Sequence, residues 1–192
     1  MNLGKECILS DNMKKILLAA LFATLTLITY GQNKKSMKTL VAYFSATGTT
    51  EAVAKDLAAV TGATLYEIKP EVKYTAADLD WRNRQSRSSL EMADKNSRPA
   101  IVKDLKDAGS YDVIYIGFPV WWYTAPTIIN TFIEEYGFEG KTVIFFATSG
   151  GSGVAGADQQ FAEQYPEINW KPGKLLNNPS RKALKDWVAA NK

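Results

Sequence analysis

The chain has 192 residues, of which 46% are hydrophobic and 22% are charged, and its formal net charge is +3. This composition is typical of a folded globular protein, and the length predicts a single domain. The sequence contains no histidine and one cysteine, Cys7, which excludes histidine-based triads, histidine metal sites and an internal disulfide. Demanding chemistry is therefore expected to come from a bound cofactor. The low net charge predicts no nucleic-acid partner.

The N-terminal segment is typical of a secretory signal. Lys14 and Lys15 precede an apolar stretch, residues 16–28, which is followed by small residues up to Gly31. The stretch is shorter than the roughly 18–20 residues that span a bilayer, so a cleaved signal is favoured over a membrane anchor. We predict that residues 1–31 are an N-terminal extension plus a signal peptide, with the translation start at Met13. The mature protein is expected in a bacterial periplasm, with no stable membrane span.

Strand-like and helix-like segments alternate from Lys38 onward. The third and fourth strands are continuously apolar, as expected for strands covered on both faces. The alternation predicts an α/β fold with a doubly wound, five-stranded parallel sheet between helices. The predicted strands are 39–44, 63–68, 112–117, 142–147 and a weak 174–176, and the predicted helices are 50–60, 100–108, 124–136, 154–164 and 180–190.

Residues 71–98 interrupt this alternation as an insertion between the second strand and its helix. The segment mixes basic and acidic side chains and contains Trp81. Two interpretations are open. With Arg82, Arg84 and Arg87, Trp81 could form a lid over a ligand, or Trp81 could anchor the insertion to the body of the domain. The sequence favours the anchor.

The first of three loops that follow strands is rich in hydroxyl groups: Ser45, Ala46, Thr47, Gly48, Thr49 and Thr50. It comes directly after a strand and begins a helix. Backbone N–H groups and hydroxyls at a helix N-terminus form a cradle for a phosphate group. The alternative is an ordinary capped helix start. The Walker pattern is absent, which argues against phosphoryl transfer.

The loop after the third strand contains three adjacent aromatic residues in the run Pro119, Val120, Trp121, Trp122 and Tyr123. Adjacent rings in a loop cannot all point inward, so at least one is expected to be exposed and to suit a flat, apolar ligand. The alternative is a cap on the hydrophobic core.

The loop after the fourth strand contains Ser149, Gly150, Gly151 and Gly153, where glycines allow close approach of the backbone to a ligand. Residues 151–156 also match the pattern G-x-G-x-x-G. That match is weak as a dinucleotide fingerprint, because it does not open the domain and no acidic residue ends a clear next strand.

Together the three loops resemble the flavin-binding loops of the flavodoxin family, over about residues 38–192. The resemblance implies a flavodoxin-like sheet of strand order 2-1-3-4-5 and flavin mononucleotide (FMN) as the cofactor. It also implies that the first loop, residues 45–50, holds the phosphate. In the same way, residues 119–123 with 149–151 and Gly153 would flank the isoalloxazine ring. The insertion is similar to that of a bacterial flavodoxin-like subgroup.

The chain differs from well-known flavodoxins in charge, since neither ring-flanking loop contains an acidic residue. We therefore expect the second one-electron reduction to be easier than in those acidic carriers. The predicted function is electron transfer to a redox partner protein or a small electron acceptor. The alternatives are an FMN-dependent NAD(P)H:quinone or FMN reductase, and a flavin-free binding module that kept the fold.

Overall fold

A single parallel sheet organises the domain. The structure, a computed structural model, describes residues 37–191, and within them five strands pair in the order β2-β1-β3-β4-β5. This confirms the predicted doubly wound sheet and its strand order. The strands are β1 (Thr39–Tyr43), β2 (Thr64–Glu67), β3 (Val113–Pro119), β4 (Thr142–Thr148) and β5 (Asn169–Leu175).

Helices cover both faces of the sheet, because β1, β3 and β4 alternate apolar side chains toward two separate cores. One core contains Leu57 and Leu184 from two helices, and the other contains Phe132 and Phe161 from two more. The helices are α1 (Thr49–Thr61), α2 (Arg87–Ala93), α3 (Ile128–Tyr136), α4 (Ala155–Gln164) and α5 (Arg181–Ala190). Helices α1 and α5 thus lie on one face of the sheet, and α3 and α4 on the other.

The centre of the sheet is tightly packed at Gly117 in β3. A Cβ atom at this position would collide with the ring of Phe146 in β4. Phe146 is fully buried, so it could not move aside without displacing the core around it. Glycine is therefore required at the point where β3 leads into the aromatic loop.

The helix predicted over 100–108 is wrong. This segment is extended and ends in a single 3₁₀ turn, Ala108–Ser110. Its backbone pairs with the chain that follows β2: the N–H of Glu71 donates to the carbonyl of Ala100, and the N–H of Val102 donates to that of Lys69, each at 2.9 Å. Long-range pairing that buries Ile101 overrides the local helical pattern.

Strand β5 is longer than the predicted 174–176. It runs from Asn169 to Leu175 despite Pro172, which an edge strand can accommodate. Much of it is exposed, so the pattern of apolar residues was too weak to indicate its full length.

The insertion contains one short helix, α2, and the predicted anchor role of Trp81 is wrong. Trp81 is 69% exposed. Tyr74 connects the insertion to the body instead, with its ring edge-on to Phe44 and to Trp121 at centroid distances of 5.5 Å. The guanidinium of Arg87 lies 3.9 Å from the centre of the Tyr74 ring. A half-buried tyrosine contributes both apolar area and a polar hydroxyl to such a contact.

The signal peptide predicted within residues 1–31 lies outside the described residues. Among residues 37–191, no helix combines the length and the apolar character needed to cross a bilayer.

Candidate functional site

Three loops meet at the carboxyl edge of the sheet. They follow β1, β3 and β4, which are neighbours in the strand order. The order reverses between β1 and β3, so that β2 lies to one side and β4 and β5 lie to the other. In open α/β sheets a crevice forms outside the strands at such a reversal, and ligands bind there.

The hydroxyl-rich loop leads into α1 through Gly48, whose φ of +88° is left-handed. Among the described residues, no side chain caps the start of this helix. The first N–H groups of a helix have no intrahelical partner, so those of α1 face the crevice as donors. The Ser45 hydroxyl accepts a hydrogen bond from the N–H of Gly48 at 3.1 Å, which shapes the turn. The start of α1 therefore lacks the side-chain cap that the alternative interpretation requires.

The hydroxyls of this loop have different surroundings. Thr47 and Thr49 are exposed, and their hydroxyl oxygens are 3.4 Å apart. Thr50 is buried, and its hydroxyl is 2.8 Å from that of Thr148 at the end of β4. The Thr50 hydroxyl therefore ties the first loop to the third, while Thr47 and Thr49 remain accessible.

The aromatic loop turns sharply at Trp122 and Tyr123, which both have positive φ, +44° and +68°. Trp121 and Thr124 close the turn by donating from N–H to each other's carbonyl at 3.0 Å. Non-glycine residues in this backbone region cost about 1–2 kcal/mol each. The turn presents Trp122 and Tyr123, 44% and 77% exposed, at the mouth of the crevice.

Helix α4 packs directly against this strained turn and supports it. A Cβ atom at Gly156 would collide with the backbone carbonyl of Tyr123, so the turn rests directly on the helix backbone. The Thr124 hydroxyl donates to the side-chain carbonyl of Gln160 at 2.9 Å. Strain of this kind persists only where the surroundings hold it, and it concentrates at functional sites.

A cavity of about 500 Å³ opens between the aromatic loop, the first loop and the insertion. This volume lies within the roughly 300–1,000 Å³ typical of small-molecule sites. Its walls are largely apolar and aromatic, and among the described residues no carboxylate lines it. The lining residues are Ala46, Thr47, Leu79, Trp81, Ser88, Pro119, Val120, Trp121, Trp122, Tyr123 and Ser152.

Of the predicted ligand-binding residues, seven line this cavity: Ala46, Thr47, Pro119, Val120, Trp121, Trp122 and Tyr123. Trp121 is half-buried, edge-on to Phe44 at a centroid distance of 5.7 Å, whereas Trp122 stands free at the mouth. Thus Trp121 contributes the cavity floor, and Trp122 lines the cavity with a large part of its ring exposed.

Sequence reasoning missed Leu79, Ser88 and Ser152 as lining residues. The first two belong to the insertion. The insertion lies near the cavity because Tyr74 contacts Phe44 and Trp121, and no pattern in the local sequence predicts that contact. The lid interpretation of the insertion was the signal that could have found Leu79 and Ser88, whereas Ser152 lies within the glycine-rich loop that the sequence singled out.

The glycine-rich loop contributes Ser152 to the lining of the cavity, whereas the predicted ring-binding residues Ser149, Gly150, Gly151 and Gly153 are not among the lining residues. Ser149 organises the loop, because its hydroxyl accepts hydrogen bonds from the N–H groups of Gly151 and Ser152 at 3.1 and 2.8 Å. Asn177 clamps the loop from beyond β5: it accepts from the N–H of Ser149 at 3.0 Å and donates to its carbonyl at 2.7 Å. Apart from the adjoining residues of the loop, no described atom lies within 4 Å of a Cβ built on Gly150, Gly151 or Gly153, so their backbone is open.

Arg82, Arg84 and Arg87 of the insertion do not serve one purpose. Arg87 is committed to the scaffold: it pairs with Glu91 at 2.6 Å and donates to the carbonyl of Val72 at 2.7 Å. The Tyr74 hydroxyl also donates to Glu91, at 2.6 Å. Burial, followed by this hydrogen bond, raises the pKa of Tyr74 well above its ordinary value, so the phenol stays neutral. Arg82 and Arg84 are exposed. In residues 37–191, no group of acidic or thiol side chains could hold a metal ion.

Comparison with known proteins agrees with this geometry. The family model for flavodoxins matches residues 38–191, and the chain belongs to the flavodoxin family. It has the flavodoxin-like flavoprotein fold.

Among solved structures, a candidate flavoprotein from Bacteroides uniformis is 57% identical, with a TM-score of 0.78 over 81% of this chain and 99% of that one. Another from Bacteroides eggerthii is 52% identical, with a TM-score of 0.79 over 81% and 98%. A Lactobacillus acidophilus flavoprotein in complex with FMN is 25% identical, with a TM-score of 0.61 over 73% and 93%. A search among curated proteins found no significant match.

Proposed function

We propose that this protein binds FMN at the carboxyl edge of its sheet and transfers electrons through the exposed side of the cavity. The observation that carries the proposal is an uncapped helix start, with two accessible hydroxyls, opening onto an aromatic cavity. A phosphate and a flat ring system need these two features side by side. The similar Lactobacillus structure in complex with FMN supports the same ligand.

The residues present fit such a ligand at each end. The N–H groups at the start of α1 and the hydroxyls of Thr47 and Thr49 would hold the phosphate, aided by the helix dipole. Glu51 in the first turn is paired with Lys55 at 2.6 Å, which reduces its repulsion of an anion. The floor of Trp121, Pro119 and Val120 would exclude water from one side of the ring.

When bound, FMN supplies one- and two-electron redox chemistry, and the chain supplies binding and orientation. The described lining of the cavity contains no histidine, carboxylate or lysine positioned for proton transfer. Electron transfer through an accessible ring edge requires no proton-transfer group from these residues, so it fits the lining best.

The direct test is reconstitution of the purified full chain with FMN. We expect one flavin per chain, a flavin absorption spectrum that shifts on binding, and quenching of tryptophan fluorescence. Riboflavin, which lacks the phosphate, is the matched control ligand and should bind at least tenfold more weakly. A colourless protein that takes up neither compound would contradict the proposal and favour a flavin-free binding module.

A reductase acting on NAD(P)H with a quinone or with FMN is the second candidate. The observation that favours it is the exposed mouth of the cavity at Trp81 and Trp122, which leaves room for a second ligand. Steady oxidation of NAD(P)H by the flavin-loaded protein in the presence of a quinone would establish the reductase. Turnover only with a separate reductase would establish the carrier.

We also propose export, on the strength of the sequence pattern in residues 13–31. Fusion of residues 1–31 to a reporter that is active only outside the cytoplasm tests it. Replacement of Leu17 and Leu18 by arginine should abolish the signal, since a charged core cannot act as the apolar region. An inactive unmodified fusion would contradict export.

A further inference from the structure

A second cavity, of about 590 Å³, adjoins the aromatic cavity on the side of the insertion. Trp81 and Trp122 line both cavities, so a molecule in the second cavity would contact the same two indole rings that border the first. The lining residues of the second cavity are Trp81, Arg82, Arg84, Ser89, Met92, Ala93 and Trp122.

The charge of this cavity is positive. It is lined by two guanidinium groups, and among the described residues no carboxylate lines it. Arg82 approaches Asp80 at 3.5 Å, but these side chains are 78% and 46% exposed, and exposed pairs of this kind contribute little. Arg82 also lies 5.8 Å from the ring centre of Trp81. An incoming anion could therefore replace Asp80 at small cost.

The lining combines features that recognise one class of ligand. Indole rings stack on flat aromatic systems, and a guanidinium forms paired hydrogen bonds with phosphate, sulfonate or carboxylate groups. The flexible thioether of Met92 adapts to ligands of different shape. We propose that this cavity binds a planar aromatic small molecule that carries an acidic group.

The presence of Arg82 and Arg84 would be expected in any charged loop that faces solvent, but their position beside two tryptophans would not. Both line the same cavity as Trp81 and Trp122, which are 69% and 44% exposed. Large exposed apolar surface next to well-placed polar groups marks binding sites. Arg87, on the same insertion, is held by Glu91 and Tyr74. It therefore has a structural role, whereas Arg82 and Arg84 are exposed to the cavity and can contact a ligand.

Two sources share the required chemistry: a nicotinamide nucleotide, with its phosphates, and a quinone bearing an acidic substituent. Binding in this cavity does not depend on the proposed function, and only the role of the ligand as electron donor or acceptor rests on it. Affinities are therefore measured on both flavin-free and flavin-loaded protein, with flavin retention recorded separately.

The test uses the full chain and three probes: NADH, 1,4-naphthoquinone-2-sulfonate and uncharged 1,4-naphthoquinone. Quenching of tryptophan fluorescence and calorimetry give the dissociation constants. We expect the Arg82→Ala/Arg84→Ala variant to bind NADH or the sulfonate at least tenfold more weakly, with affinity for the uncharged quinone changed less than twofold. Lys106→Ala/Lys171→Ala removes the same charge from exposed positions outside both cavities and should leave all three affinities unchanged.

The pattern of loss identifies the source, because weaker binding of one acidic probe alone assigns the site to that probe's class. Unchanged affinity for both acidic probes in the arginine variant overturns the proposal, as does an equal loss in the lysine control. Retention of flavin by the same variants keeps this outcome distinct from a failure of the proposed function.

Discussion

Individual side chains at the carboxyl edge differ in how firmly the fold holds them. The Thr50 hydroxyl is buried against Thr148, whereas Thr47 and Thr49 remain accessible beside the start of α1. The first belongs to the scaffold, and the other two are free to meet a ligand.

Replacement of both Thr47 and Thr49 by alanine should weaken FMN binding by roughly 1–3 kcal/mol, because each lost hydroxyl removes a hydrogen bond to a charged group. Stability in urea should change little, since both positions are exposed. Thr61→Ala, on the last turn of the same helix, is the control and should leave FMN affinity unchanged. Unaltered affinity in the double variant would reduce the loop to a helix start.

The two tryptophans of the aromatic loop should separate stability from binding. Trp121→Ala removes edge contacts with Phe44 and Tyr74 and should lower the free energy of unfolding by about 2–3 kcal/mol. Trp122→Ala should leave stability within about 0.5 kcal/mol but weaken FMN binding by about 1–3 kcal/mol, by analogy with base stacking. Equal effects of the two variants on stability would contradict this division.

Asp158 provides a pH-dependent test at a single carboxyl group. Burial raises its pKa, although a hydrogen bond from the N–H of Gly173 at 2.8 Å opposes the shift. A carboxyl whose pKa is higher in the folded state binds protons more tightly there, so its contribution to stability falls as pH rises through that pKa. Asp158→Asn keeps an acceptor for Gly173 and should therefore stabilise the protein near pH 7.

The advantage of Asp158→Asn should shrink as the pH falls below the pKa of the unfolded group, near 3.8, because the wild-type carboxyl is then already neutral. Urea unfolding at several pH values measures it, and Asp56→Asn, at an exposed position of α1, is the control. An advantage that grows toward acid pH would show that burial is not the dominant influence.

At the scale of elements, the insertion is held by its ends and by one ring, while its tryptophan stays exposed. Arg98 closes the far end by donating two hydrogen bonds to Glu134 on α3, at 2.7 and 2.8 Å. Tyr165 adds a third, from its hydroxyl to Glu134 at 2.7 Å. The insertion is thus a wall of the cavity attached at Tyr74 and Arg98.

Tyr74→Ala should release this wall. We expect faster amide exchange across residues 71–98 and faster proteolytic cleavage there, because the ring contacts to Phe44 and Trp121 are lost. Trp81→Ala, at an exposed position, should leave exchange in the same segment unchanged. Faster exchange in the Trp81 variant alone would restore the anchor role to that residue.

At the scale of the whole molecule, the distribution of charge affects the proposed redox chemistry. A carboxylate about 6 Å from the ring would oppose added negative charge by about 2.8 kcal/mol at an effective dielectric constant near 20. The described lining of the aromatic cavity contains none, in agreement with the absence of acidic residues in residues 119–123 and 149–153.

Potentiometric titration of the FMN-loaded protein should therefore give a second one-electron potential that is less negative than in acidic flavodoxins. Val120→Glu should make this potential more negative, while the matched neutral variant Val120→Gln should not. Identical potentials in the two variants would rule out a role for charge at this position.

The class of fold could be predicted from local patterns in the sequence, and so could the edge of the sheet where the candidate ligand-binding loops lie. The apolar runs of β3 and β4 are typical of strands covered on both faces. The composition of the loops after β1 and β3 indicated a group of hydroxyls in the first and a group of aromatic rings in the second. Strand formation and loop composition depend on residues that are adjacent in the chain, so patterns within a short stretch of sequence predict them.

The contacts between segments that are distant in the chain could not be predicted in this way. The pairing of residues 100–102 with the chain after β2 removed a predicted helix, and contacts of Tyr74 rather than Trp81 brought the insertion to the cavity. Asn177 reached Ser149 from beyond β5. These contacts join residues that are far apart in the chain, and they depend on which side chains the assembled core buries. Neither hydrophobic periodicity nor secondary-structure propensity within a short stretch of sequence predicts them.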